Sequence, residues 1–169
     1  MVQRKEQNST SEKQRFDSLE QEAFLNLWRT YDRLKELEDR AFARVDLSAQ
    51  QYNTLRLLRS VAPDAMQTLD LGSRLISRAP DMTRLLDRLE RRGLLSRERR
   101  PENRRVVEVR ITPEGLALLD DLQADVQEFH REQLGHLDEQ SLRQLVDLLH
   151  RARQPHEVPG RRSFIDESP

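Results

Sequence analysis

Apolar positions follow a helical period along most of the chain. Residues 1–15 are polar and lack periodicity, so residues 1–17 are expected to be a disordered or frayed N-terminus. From Ser18 onward, Leu19, Phe24, Leu27, Trp28, Tyr31, Leu34, Leu37, Ala41, Phe42 and Val45 recur at three- and four-residue steps. This is one stripe on a long helix, and its remaining positions are dense in Glu, Asp and Arg. A second helix opens at Leu47-Ser48-Ala49-Gln50-Gln51-Tyr52. Ser48 and Gln51 have the spacing of a capping box, and Leu47 and Tyr52 that of a hydrophobic staple. This helix buries Tyr52, Leu55, Leu58 and Val61 and ends near Pro63. A connector over 64–67 leads to a two-turn helix over 68–75 with Thr68 as its N-cap. A turn then ends at Ala79, and a new helix begins at Pro80, because proline suits the first helical position and disfavours helix before it. It buries Met82, Leu85, Leu86 and Leu89 and stops at Gly93. Two short helices joined by a tight turn form a helix-turn-helix.

After Gly93 the period falls to two. Residues 95–100 and 107–111 read as strands around the turn-forming Pro101-Glu102-Asn103-Arg104-Arg105, giving a hairpin with a basic tip. Thr112-Pro113-Glu114 caps a further long helix carrying Leu116, Leu119, Leu122, Val126 and Phe129, and Asp138 caps a last one carrying Leu142, Leu145, Val146 and Leu149. The prolines 155, 159 and 169 mark a loose tail. The expected fold is mainly α: a winged helix-turn-helix with a two-stranded β-wing and a helical dimerisation region from both ends of the chain. Its parts are 18–47 and 113–153 for dimerisation, 48–112 for the winged unit and 154–169 for a flexible tail.

Composition narrows the function. The chain has 169 residues, 36% hydrophobic and 35% charged. The stripes on the first helix and the last two exceed what one core of this size can bury, and pairing two copies buries them. Pairing also sets two recognition helices about 34 Å apart, one DNA turn. No run of eighteen apolar residues exists and the N-terminus lacks an apolar leader segment, so a cytoplasmic protein without a membrane partner is expected. The chain has no cysteine, which removes disulfides, thiol nucleophiles, cysteine zinc sites and thiol redox switches. His130 and His136 are six apart on a helix and share no face, so no metal and no cofactor are expected. Glycine-rich phosphate loops, nucleophile elbows and paired-histidine zinc motifs are absent, so the chain does not read as an enzyme.

The net charge of −1 conceals an asymmetry. Residues 74–110 hold twelve arginines against six acids, a net of +6, and the rest of the chain carries −7. On the second helix of the pair, Ser77, Arg78, Asp81, Thr83 and Arg84 lie away from the apolar face, with Arg88 one turn further on. A helix of this width enters the major groove, where Arg bonds guanine and Thr touches a thymine methyl. Arg104 and Arg105 at the hairpin tip suit the narrow, electronegative minor groove. Arg97, Arg99 and Arg110 are placed for phosphates. Asp81 is expected to stabilise its own helix N-terminus rather than accept from cytosine, and Asp87 and Glu90 to pair with nearby arginines. Trp28, Tyr31, Tyr52 and Phe129 are candidates for an effector pocket, although aromatics at helical spacing are more often core.

Met82-Thr83-Arg84-Leu85-Leu86-Asp87-Arg88-Leu89-Glu90-Arg91-Arg92-Gly93-Leu94, followed by Asn103-Arg104-Arg105-Val106-Val107-Glu108-Val109-Arg110-Ile111-Thr112-Pro113-Glu114-Gly115, resembles the MarR family of bacterial winged-helix transcription regulators. The resemblance extends from about Leu19 to Arg153. It implies a homodimer with interleaved terminal helices that binds a pseudo-palindromic double-stranded operator. It further implies a repressor released by a small-molecule effector, often a phenolic or other aromatic acid. The family's wing carries an Asp two residues before an Arg; here Arg105 is preceded by Asn103, which accepts the same hydrogen bonds without the charge. Ala79-Pro80-Asp81 stands where small hydroxyl residues are more usual. The other reading from a different class is a winged-helix protein that acts through protein contacts, with its acidic arms as the interface.

Overall fold

The computed structural model describes residues 16–76 and 81–157. In chain order the elements are α1 (Leu19–Ala43), α2 (Ala49–Ser60), β1 (Met66–Gln67), α3 (Thr68–Arg74), α4 (Met82–Arg91), β2 (Leu95–Arg100), β3 (Asn103–Ile111), α5 (Pro113–Asp121), α6 (Gln123–Leu134) and α7 (Glu139–Arg153). By its internal contacts the chain divides within α1, between Glu36 and Leu37.

In the N-terminal unit the apolar stripe of α1 is exposed. Leu19, Phe24, Trp28 and Tyr31 are each at least 60% accessible, and the Phe24 and Trp28 rings lie 6.0 Å apart.

In the second unit the core is built from Leu55, Leu57 and Leu58 of α2, Leu71 of α3, Leu86 and Leu89 of α4, Val109 of β3 and Leu119 of α5. Phe42, at the end of α1, packs between Tyr52 (ring centroids 4.7 Å) and Phe129 (5.8 Å). The capping box of α2 forms as its spacing predicts: the Gln51 amide donates to Ser48 Oγ and the Ser48 amide to Gln51 Oε1. The end of α4 follows its sequence signal. Gly93 takes φ +70°, its amide donates to Glu90 O, and the Leu94 amide donates to Leu89 O, the pair of bonds that closes a helix through a left-handed residue. The Asp138 carboxylate caps α7 by accepting from the Ser141 amide. No side chain of α7 is fully buried, and Val146 and Leu148 are more than half exposed.

Four local expectations change. The connector after α2 contributes a third strand: β1 pairs antiparallel with β3, Met66 opposite Val109, so the hairpin sits in a three-stranded sheet of order β1-β3-β2. Two residues are too few to show a period of two. Thr68 does not cap α3; the cap position is Gln67, without a side-chain bond, and Thr68 Oγ1 donates instead to Val107 O in the sheet. β3 begins at Asn103 rather than at 107, so Asn103, Arg104 and Arg105, expected in the turn, belong to the strand, which pairs Asn103 with Arg100. The predicted turn end at Ala79 and helix start at Pro80 lie outside the described residues. Finally, the helix after Thr112 is divided at Leu122 into α5 and α6. The bonds Leu122 N to Leu118 O and Val126 N to Leu122 O keep the four-residue spacing on both sides, so the apolar stripe crosses the junction in phase.

Candidate nucleic-acid interface

The N-terminal turn of α4 is exposed at Thr83 and Arg84. Asp81 organises it twice: its carboxylate takes the Arg84 amide as a cap and lies 3.2 Å from Arg84 Nε. The Arg84 side chain nevertheless remains 80% accessible. Ser77 and Arg78, predicted to precede it in the groove, lie outside the described residues. One turn further, Arg88 borders two shallow clefts of about 260 and 510 Å³, shared with Ser48 and Gln51 at the start of α2.

The wing is joined to α4 by Arg97. Its Nη2 contacts Asp87 Oδ1 at 2.6 Å and Glu90 Oε2 at 2.5 Å, its Nε donates to Glu90 Oε2 at 3.0 Å, and its amide donates to Glu90 Oε1 at 3.2 Å. Asp87 and Glu90 thus pair with an arginine, as their positions in the sequence led us to expect. The hydrogen bond from Arg97 holds the Glu90 carboxyl below its ordinary range, against a smaller opposing effect of burial. Arg97, expected at phosphate, is held by these internal partners. Its side chain is only 24% accessible and its donors are engaged inside the protein. Arg110 is exposed and donates to Pro63 O. Arg100 Nε donates to Glu108 across the two strands at 2.6 Å.

The tip differs. Arg99, Arg104 and Arg105 are exposed, and among the described residues neither their guanidinium groups nor that of Arg88 meets a carboxylate or carbonyl. Asn103 Oδ1 accepts from the Arg105 amide at 3.2 Å, an Asx turn that shapes the tip without drawing on the Arg105 side chain.

The four aromatics considered for an effector pocket fall into two groups. Tyr52 and Phe129 are buried against Phe42 in the core, where burial pushes the Tyr52 phenol pKa up against the pull of Arg56 and Arg59. Trp28 and Tyr31 are exposed on α1. Among the described residues no group of three His, Asp or Glu is placed to hold a metal ion, and no helix is long and apolar enough to cross a membrane. The sequence reading missed the partners of Arg92 and Arg110, which are backbone carbonyls 46 and 47 residues away and leave no mark in side-chain patterning.

Comparison with known proteins agrees with this geometry. The model of the MarR family matches residues 47–107, from the start of α2 to the middle of β3. The crystal structure of a MarR transcription factor from Planctomyces limnophilus is 59% identical, covers 80% of this chain and 98% of its own, and superposes with a TM-score of 0.66. A mutant MarR from E. coli complexed with operator DNA shares the fold at 24% identity and a TM-score of 0.69, covering 78% of this chain and 93% of that one. The HTH-type transcriptional regulator YdgJ of Bacillus subtilis is 31% identical over 90 residues, 53% of this chain; the match spans about half of that relative, 55% of its length. The winged unit, its sheet and these matches together place the chain in the MarR family of transcription regulators.

Proposed function

We propose that the protein is a homodimeric repressor that binds a pseudo-palindromic double-stranded operator. The observation that carries this reading is the division of the arginines. Arg97, Arg100 and Arg110 are taken up by internal partners, whereas Arg88, Arg99, Arg104 and Arg105 have none among the described residues. Free guanidinium groups beside the exposed start of a helix, and at the tip of a hairpin, offer donors to a major groove and to the adjacent minor groove or phosphates. On this reading Thr83 and Arg84, with Ser77 and Arg78 before them, read bases, and Arg99 contacts phosphate. The operator complex of the E. coli neighbour supports the assignment at the level of fold. The dimer is supported by the exposed stripe of α1 and by Val146, Leu148 and Leu149 of α7, which a single copy leaves in water. Release by a small aromatic acid completes the reading.

Fluorescence anisotropy with labelled fragments flanking its own gene, at two salt concentrations and with competitor DNA, tests this. The expected result is binding that survives competitor and weakens with salt, by about 0.9 in log–log slope per phosphate neutralised. Weak binding erased by competitor for every genomic fragment would remove the DNA reading and leave the protein-contact alternative. The same assay, with aromatic acids added, tests release. Leu149→Glu is expected to lower the association state in sedimentation, and an intact dimer would count against the assigned interface.

A further inference from the structure

The C-terminal end of α4 carries an arginine that the DNA reading does not use. Arg92 stands at the C-cap, one residue before Gly93 turns the chain into β2. Its guanidinium reaches the turn between α1 and α2, where Nη1 donates to Asp46 O at 2.5 Å and Nη2 to Val45 O at 3.1 Å. That turn follows directly from the end of α1: the Val45 and Leu47 amides both donate to Phe42 O, and the Asp46 amide donates to Ala43 O. Asp46 holds φ at 51°, a left-handed conformation that Asp adopts more readily than most residues with a Cβ. Two residues later the Ser48 amide and side chain open the capping box of α2. Carbonyls just past a helix end face outward, carry the negative end of the helix dipole and need donors. A planar guanidinium satisfies two neighbouring carbonyls at once, which a single ammonium does less well.

We infer that Arg92 is a positioning residue: it fastens the C-terminal end of α4 to the α1–α2 turn and thereby sets the angle at which Thr83 and Arg84 are presented. Arg92 is then an internal tie rather than one of the phosphate contacts that its place in the basic segment implies. At one end of α4 Asp81 fixes the entry of the chain, and at the other Arg92 fixes the exit. The claim about presentation rests on the DNA-binding reading; the claim about the tie does not.

Two measurements on the full chain separate these claims. Hydrogen exchange compares wild type with Arg92→Ala at the Leu47 and Leu94 amides, which bond to Phe42 O and Leu89 O on either side of the tie. Exchange is expected to rise about tenfold at both sites while the core amides of α2 stay protected. Unchanged protection would overturn the tie, whatever the DNA result. Operator titration over a range of salt then asks what the tie does. Arg92→Ala is expected to bind about tenfold more weakly with the wild-type salt slope, and Arg92→Lys to recover part of the loss. A slope reduced by about 0.9 would make Arg92 a phosphate contact, and unchanged affinity would show that the tie does not orient α4; both overturn the positioning role. If the wild type prefers no DNA fragment, the DNA-binding reading and the presentation claim built on it both fail, and the exchange result alone decides the tie.

Discussion

The root and the tip of the wing are built from the same residue type and put it to opposite uses. At the root, Arg97 is held by Asp87 and Glu90, and Arg110 donates to Pro63 O. At the tip, Arg104 and Arg105 stand in solvent, and the Arg105 amide donates to Asn103 Oδ1. A guanidinium that meets two carboxylates gives up its capacity for a phosphate in exchange for a fixed strand; one without an internal partner keeps that capacity. The number of arginines in a basic segment therefore overstates the number available to nucleic acid. The root ties the hairpin to α4 through Arg97, and the tip projects donors from it.

Disturbing the root at its tightest point should have the largest effect. Gly115 lies where α5 meets the start of β2, and a Cβ there would fall 2.2 Å from Leu94 O and 2.8 Å from Ile111 Cγ1. Gly115→Ala is expected to destabilise the fold by about 3 kcal/mol in urea titration, because backbone on one side cannot yield. Disturbing the tip should leave stability alone: Arg105→Ala is expected to cost roughly 1–3 kcal/mol of operator binding at an unchanged melting temperature. A fall in melting temperature together with affinity would erase the distinction between the two regions.

Arg97→Ala sharpens the comparison from the other side. It should destabilise by about 1–2 kcal/mol, since solvent screens the half-open carboxylates it leaves behind. This loss should depend on pH. Glu90 is held below its ordinary value of 4.5 mainly by the Arg97 hydrogen bond, so its contribution is complete above that value and disappears as pH falls through the lower folded value. The gap in stability between wild type and Arg97→Ala should stay constant near neutrality and close below about pH 4.5, as read from denaturation at a series of pH values. The smallest effect is expected from Asn103→Ala, which removes one exposed turn bond. A loss of about 0.5 kcal/mol in operator affinity, with no change in stability, fits an Asx turn that orders the tip.

Much of the fold was legible because it is written in short-range signals. Ser48 and Gln51 are three residues apart and cap each other, Gly93 is the residue type that a left-handed helix exit requires, and strict alternation marks the second wing strand. The signal failed where local choice was overruled from a distance. Thr68 is a good N-cap residue, yet its hydroxyl finds Val107 O, 39 residues away, before its own helix. Met66 and Gln67 become a strand only because β3 presents an open edge. The break at Leu122 keeps the apolar stripe in phase, so the pattern cannot register it. The candidate site was legible to a similar depth: the exposed start of α4 and the basic tip follow from periodicity and turn chemistry.

By itself the sequence determined the order of helices and hairpin, the caps, the basic segment and the resemblance to the MarR family. Each of these depends on residue type and spacing within a few positions. Tertiary structure alone decided the use of each arginine. The chain places Arg92, Arg97, Arg104 and Arg105 within fourteen residues of one another, chemically identical and alike in reach. Only folding brings the Val45 and Asp46 carbonyls to the first and the Asp87 and Glu90 carboxylates to the second, and leaves the side chains of the last two without a partner among the described residues.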